Sequence, residues 1–225
     1  MRPLGIIEKN LNTVNCNIND TLKASQREEH TAKLIAVSKT KPQEQIKEAL
    51  KAGQRLFGES RVQEAQEKWL SLKEKYPDTE LHLIGPLQTN KASLAVSIFD
   101  VIQTIDRIKL AKAVARHINE SGRRPQCFVQ VNTGKEPQKA GILPEETDDF
   151  IRFCRSQLDL PIEGLMCIPP NADEPSLHFA LLREIAQRNN IRELSMGMSA
   201  DYKVGIQFGA TYVRIGTAIF GSRTL

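Results

Sequence analysis

The stretch Leu34-Ile35-Ala36-Val37-Ser38-Lys39-Thr40-Lys41-Pro42 decides the fold. Its first four residues are apolar without interruption, the pattern of a parallel strand covered on both faces. The chain then enters a polar, lysine-bearing turn. An open dinucleotide-binding sheet would instead begin with a glycine-rich GxGxxG turn at this place. Pro42 presets the first turn of a helix, and Gly53 supplies a C-terminal cap for it. Strand, turn and helix make one βα unit, and working outward the unit recurs. Strands are predicted at 34–38, 55–59, 81–85, 101–105, 127–132, 162–168, 193–196 and 212–215. Helices are predicted near 42–53, 62–75, 91–98, 107–121, 144–157, 175–190 and 202–208. Eight repeats predict an α/β fold, a single-domain (β/α)8 TIM barrel.

No Gly/Ser-rich, Pro-rich or low-complexity linker divides residues 1–225, so one domain is expected. Residues 1–30 read as an N-terminal helical extension outside the barrel. Leu4, Ile7, Leu11, Val14, Ile18 and Leu22 step by three and four, and a break is expected near the asparagines.

Composition excludes several classes. Of 225 residues, 40% are hydrophobic and 26% charged, ordinary for a soluble globular chain. The net charge of +4 suits an anionic ligand as well as weak nucleic-acid contact and decides neither. The charge runs at 47–51 and 68–75 read as solvated helix faces without interleaved aromatics, so no nucleic-acid partner is expected. The apolar runs are too short to span a bilayer, and the N-terminus lacks a signal-peptide core, so a cytoplasmic location and no membrane partner are expected. Cys16, Cys127, Cys154 and Cys167 form no CxxC, and the four histidines form no HxH or HxxxH pair. Neither a disulfide framework nor a metal site is expected. Without a long apolar interface stripe, a monomer is expected.

Barrel sites lie at the C-terminal ends of the strands. Lys39 follows the first strand, where desolvation and the neighbouring Lys41 disfavour the charged amine. A neutral lysine forms Schiff bases with carbonyls; the plain alternative is an exposed loop lysine. The loops Gly197-Met198-Ser199 and Ile215-Gly216-Thr217 follow the last two strands, where barrels commonly hold phosphate. Ser199 and Thr217 add hydroxyl donors, although simple turn chemistry also explains them. Arg214 shares a face with Gly216 by strand alternation. Burial obliges its guanidinium to find an acceptor, either a ligand or a carboxylate such as Glu59 or Glu163. His82 reads as a structural histidine and Trp69 as core, and Tyr202 is the one tyrosine expected within reach of the site.

These segments resemble a known family. With Phe57-Gly58-Glu59, His82-Leu83-Ile84-Gly85-Pro86-Leu87-Gln88-Thr89-Asn90-Lys91, Gly164-Leu165-Met166, Leu194-Ser195-Met196-Gly197-Met198-Ser199 and Val213-Arg214-Ile215-Gly216-Thr217-Ala218-Ile219-Phe220-Gly221, the chain is similar to the pyridoxal phosphate homeostasis proteins (YggS/PROSC) from about residue 34 onward. The resemblance implies a barrel like the N-terminal domain of alanine racemase, with pyridoxal 5′-phosphate held on Lys39 as a Schiff base. It places the phosphate on Ser199, Gly216 and Thr217, Arg214 at the pyridine nitrogen, and Asn132 and Met166 along the ring. It also implies apo pyridoxal phosphate enzymes as partners. Ser60 and Cys167 depart from the family's usual asparagine and alanine. An arginine at the ring nitrogen makes a weak electron sink, and no residues follow Leu225 to build the second domain and tyrosine base of a racemase. The expectation is therefore a carrier or buffer of the cofactor without robust catalysis. The alternative is a pyridoxal phosphate-dependent racemase or lyase. A Schiff-base aldolase acting on a phosphosugar fits less well, because its lysine typically comes from a later strand.

Overall fold

The computed structural model of the chain describes residues 5–221. Eight parallel strands close into a barrel in sequence order: β1 (Lys33–Val37), β2 (Leu56–Glu59), β3 (Glu80–Leu83), β4 (Val101–Ile105), β5 (Gln126–Val131), β6 (Ile162–Cys167), β7 (Glu193–Met198) and β8 (Tyr212–Ile215). The chain opens with α1 (Ile6–Ala24). Then α2 (Gln43–Lys51), α3 (Val62–Lys75), α4 (Ala92–Ile98), α5 (Ile108–Ser121), α6 (Thr147–Leu158), α7 (Pro175–Arg188), α8 (Tyr202–Gln207) and α9 (Thr217–Phe220) follow β1 to β8 in turn. The expected TIM barrel is the fold.

The differences from expectation are local. At Gly197 the backbone is left-handed (φ 92°) and the β7–β8 register shifts; pairing resumes at Met198 opposite Arg214, which carries β7 two residues beyond 196. Helices α4 and α6 start later than expected because 3-10 turns, Thr89–Lys91 and Pro144–Glu146, precede them. The four residues of α9 are too few to show a helical period, and no helix was expected there.

The extension differs too. Helix α1 is not broken at its asparagines, because Ile7, Leu11, Val14, Ile18 and Leu22 stay on one buried stripe, and Asn10 Nδ2 donates to Ile219 O at 2.8 Å. It ends at Ala24, and Gln26 and His30 turn the following segment through positive φ, so the helix is shorter than the 1–30 extension expected. Its position outside the barrel, against α2, α8 and α9, is as expected.

The barrel interior has two tiers. Ile35, Val101, Phe128 and Tyr212, from the early parts of β1, β4, β5 and β8, form a separate apolar cluster at the floor. Phe128 occupies the space beneath Gly164, where an added Cβ would fall 2.4 Å from its ring. Above the floor the interior turns polar: His82, Gln103, Gln130, Ser195 and Arg214 are all buried. That change of polarity points toward the C-terminal mouth.

Candidate functional site

Lys39 stands half-buried at the mouth, in the turn after β1. The residues on either side of it are clamped. Ser38 Oγ donates to Glu59 Oε1 at 2.7 Å, and Ser38 O accepts from Lys68 Nζ at 2.9 Å. Thr40, at φ 62°, donates its N–H to Glu64 Oε1 at 2.5 Å. Lys68 Nζ also lies 2.8 Å from both Glu59 Oε1 and Glu64 Oε1, and Trp69 Nε1 donates to Glu59 Oε1 at 3.0 Å. Lys68 therefore does not belong to the solvated face expected for 68–75, and Trp69 does more than pack. Burial pushes the Glu59 carboxyl up from its ordinary value, against the pull of Lys68. Lys41 Nζ donates to Phe220 O and Gly221 O at 3.2 and 3.0 Å, tying this turn to the end of α9.

Strand β8 runs beside β1, with Ala36 opposite Ile215, which brings Gly216 and Thr217 alongside the Lys39 turn. A Cβ on Gly216 would sit 3.3 Å from both Cβ and O of Val37, so a side chain here would press on β1. Thr217 and Ser199 are exposed at the mouth. Asp201 Oδ1 accepts from Met198 N at 2.6 Å and thereby fixes the turn carrying Ser199.

Arg214 is 3% exposed. Its Nη1 donates to Ser195 O and Ser195 Oγ, both at 2.7 Å, and its Nη2 donates to Cys167 O at 2.8 Å. Neither Glu59 nor Glu163 is its partner. Glu59 is taken by the clamp, and Glu163 faces outward, exposed, on β6. Desolvation lowers the Arg214 pKa, yet an arginine retains its proton at any working pH. A guanidinium has five N–H donors, so donors remain for a ligand.

Met166, fully buried, and Asn132 complete the set along β6 and just past β5. Asn132 also folds the long loop after β5, donating Nδ2 to Glu136 O at 2.8 Å and Lys139 O at 3.3 Å. Gly141 (φ 128°) passes so close that a Cβ would lie 2.6 Å from Asn132 N. The sequence-predicted residues thus fall at the ends of five consecutive strands, β5, β6, β7, β8 and β1.

One expectation changes. Tyr202 does not reach the site: it is buried on α8, and its hydroxyl bonds the Asn17 side chain of α1. Burial pushes the Cys167 thiol up to about 12, so it is wall rather than nucleophile. Sequence reasoning missed the clamp residues Lys68 and Glu64, as well as Gln103 at mid-barrel. Among the described residues, no group of three or more His, Cys, Asp or Glu side chains is placed to hold a metal. No described helix is long and apolar enough to cross a membrane.

The family model of the alanine racemase N-terminal domain matches residues 10–224. The pyridoxal phosphate homeostasis protein of Pasteurella multocida is 40% identical over 96% of this chain and 97% of its own length. The structure of PipY from Synechococcus elongatus with pyridoxal phosphate bound is 38% identical, covers 91% of this chain and superposes with a TM-score of 0.78. Alanine racemase of Clostridium difficile shares the fold at 16% identity and TM-score 0.75, with 98% of this chain covering 57% of that one. The chain belongs to the alanine racemase N-terminal-domain family and, within it, to the pyridoxal phosphate homeostasis proteins.

Proposed function

We propose that the chain binds pyridoxal 5′-phosphate at the barrel mouth and serves as a carrier or buffer of that cofactor. One observation carries the reading: the β8–β1 pairing gathers at one barrel mouth the turn that carries Lys39, the Gly216-Thr217 turn and, deeper on β8, a buried arginine with donors to spare. This donor set fits the group. Lys39 Nζ condenses with the aldehyde, losing water and leaving a Schiff base. Arg214 donates to the pyridine nitrogen, and Ser199, Gly216 and Thr217 hold the phosphate. Asn132 and Met166 line the ring. The bound cofactor supplies an electron sink, and a cationic partner at its ring nitrogen keeps that sink weak.

A binding role is further supported by where the tyrosines lie. The chain has three. Tyr76 stacks near Arg55 on the outside, Tyr202 faces α1, and Tyr212 is packed against His82 and Phe128 at the barrel floor. None stands beside Lys39 to act as a base. In this reading residues 1–225 work as one unit, a cytoplasmic monomer that passes the cofactor to apo-enzymes.

The test is a Lys39→Ala variant titrated with pyridoxal phosphate. Loss of borohydride-trapped label together with at least a roughly hundredfold loss of affinity is expected, as for a lost covalent bond. Binding as tight as the parent's would refute the Schiff base. Steady turnover of an amino acid that disappears in the variant would favour the racemase or lyase alternative.

A further inference from the structure

A chain of buried polar groups crosses the barrel and ends on Arg214. Arg214 Nη1 donates to Ser195 Oγ at 2.7 Å, and Ser195 Oγ donates in turn to Gln103 Oε1 at 2.6 Å. Gln103 Nε2 lies 2.9 Å from His82 Nδ1, and His82 Nε2 lies 2.8 Å from Glu80 Oε1. His82, Gln103 and Ser195 are 0% exposed, and the Glu80 side chain at the start of β3 is 39% exposed. The contacts run from β8 to β7, across the interior to β4, and on to β3 at the opposite rim.

The donor order is fixed from one end to the other. Arg214 only donates. The Ser195 hydroxyl, having accepted from it, turns its proton to the Gln103 carbonyl. That leaves the Gln103 amide N–H for His82 Nδ1, which places the ring proton on Nε2, facing the Glu80 carboxylate. The hydrogen-bonded links run from Arg214 to His82 Nδ1; His82 Nε2 lies 2.8 Å from Glu80 Oε1 without hydrogen-bond geometry. Barrel interiors at this height are usually filled by Val, Ile and Leu, which need no partners. A polar chain here is costly unless its members are satisfied, and Arg214, Ser195 and Gln103 satisfy one another as far as His82 Nδ1.

We propose that Ser195, Gln103 and His82 are positioning residues for the cofactor: they hold the Arg214 guanidinium in the plane from which it donates to the pyridine nitrogen. Cys167 O fixes the other corner of the same group. The proposal rests on the reading of Arg214 given above. The acceptors that touch Arg214 are all uncharged oxygens.

The experiment compares two ligands, pyridoxal 5′-phosphate and its 1-deaza analogue, which keeps aldehyde and phosphate but has carbon at the ring nitrogen. Affinities are measured for the full chain, for Ser195→Ala and for Gln103→Leu, with thermal unfolding recorded alongside. The parent is expected to prefer the natural cofactor. Each variant is expected to lose about fivefold of that preference, the size of one hydrogen bond, while analogue binding holds within about twofold. The double variant is expected to lose little more than either single one, because all act through one guanidinium. Should Gln103→Leu fail to fold, Ser195→Ala, which removes a single oxygen, carries the test alone. Equal weakening of both ligands, or an unchanged preference in folded variants, overturns the positioning role. A parent with no preference for the natural cofactor overturns instead the placement of Arg214 at the ring nitrogen.

Discussion

Lys39 and Arg214 belong to neighbouring strands at one barrel mouth, but they are held in opposite ways. The protein grips Lys39 through the residues beside it. Ser38 is fixed at its hydroxyl and its carbonyl and Thr40 at its N–H, by a charged cluster of Glu59, Glu64 and Lys68. Arg214 is gripped by its own head group, and only by uncharged oxygens. The two jobs differ. The turn that carries the amine is set through the backbone and hydroxyl of its neighbours. A cation that only orients a ligand is best fixed at the guanidinium, and the atoms that hold it are neutral oxygens. Salt bridges near the lysine and carbonyls near the arginine follow from this division.

The comparison breaks most visibly at Glu59. Replacing it with alanine leaves Lys68 with Glu64 as its one carboxylate and strips Ser38 Oγ and Trp69 Nε1 of their acceptor, a loss expected to cost about 2–4 kcal/mol in urea unfolding. A loss below about 1 kcal/mol would mean that the ionic clamp is ornamental. On the other side, Arg214→Met removes the donor to the ring and should weaken cofactor binding roughly tenfold to hundredfold, as for a hydrogen bond to a charged group. Full-strength binding by that variant would remove the distinction between the two sides. Where they meet, Gly216→Ala places a Cβ 3.3 Å from Val37. The expected cost is about 1 kcal/mol, visible in the thermal midpoint, together with weaker cofactor binding. An unaltered midpoint would mean that β1 gives way freely.

The smallest effect lies at the far end of the polar chain. The neighbouring His82 ring holds the Glu80 carboxyl below its ordinary value of 4.5. A depressed pKa contributes stability above the unfolded value, and that stability is lost as pH falls through the folded one. Glu80→Gln should therefore flatten the acid limb of the stability curve below pH 4.5. At neutral pH it should cost at most about 0.5 kcal/mol, because the side chain is partly solvated. Parallel acid limbs would show that His82 and Glu80 are not coupled.

The barrel was legible because most of its strands are buried on both faces and read as largely apolar runs, most of them closed by a small, polar or ionisable residue at the mouth. Strand alternation turns Arg214 inward, and it is buried there. Periodicity failed where a single residue decides the geometry. The left-handed step at Gly197 lengthens β7, and α9 is a single turn. The asparagines of α1 suggested a break, yet the buried stripe outweighs their low helix propensity. Lys68 looked like its solvated neighbours, because a charge pattern does not say which lysine bends inward to a carboxylate on the adjacent strand. Gln103 gave no signal by itself. Its meaning appears only beside His82 and Ser195, which lie 21 and 92 residues away in sequence.

The most direct measurement is the visible spectrum of the purified protein with added pyridoxal phosphate, followed by borohydride reduction and mass mapping of the peptide that contains Lys39. The account predicts a yellow protein and a phosphopyridoxyl group on Lys39. A colourless protein, or a label on any other lysine, would contradict it.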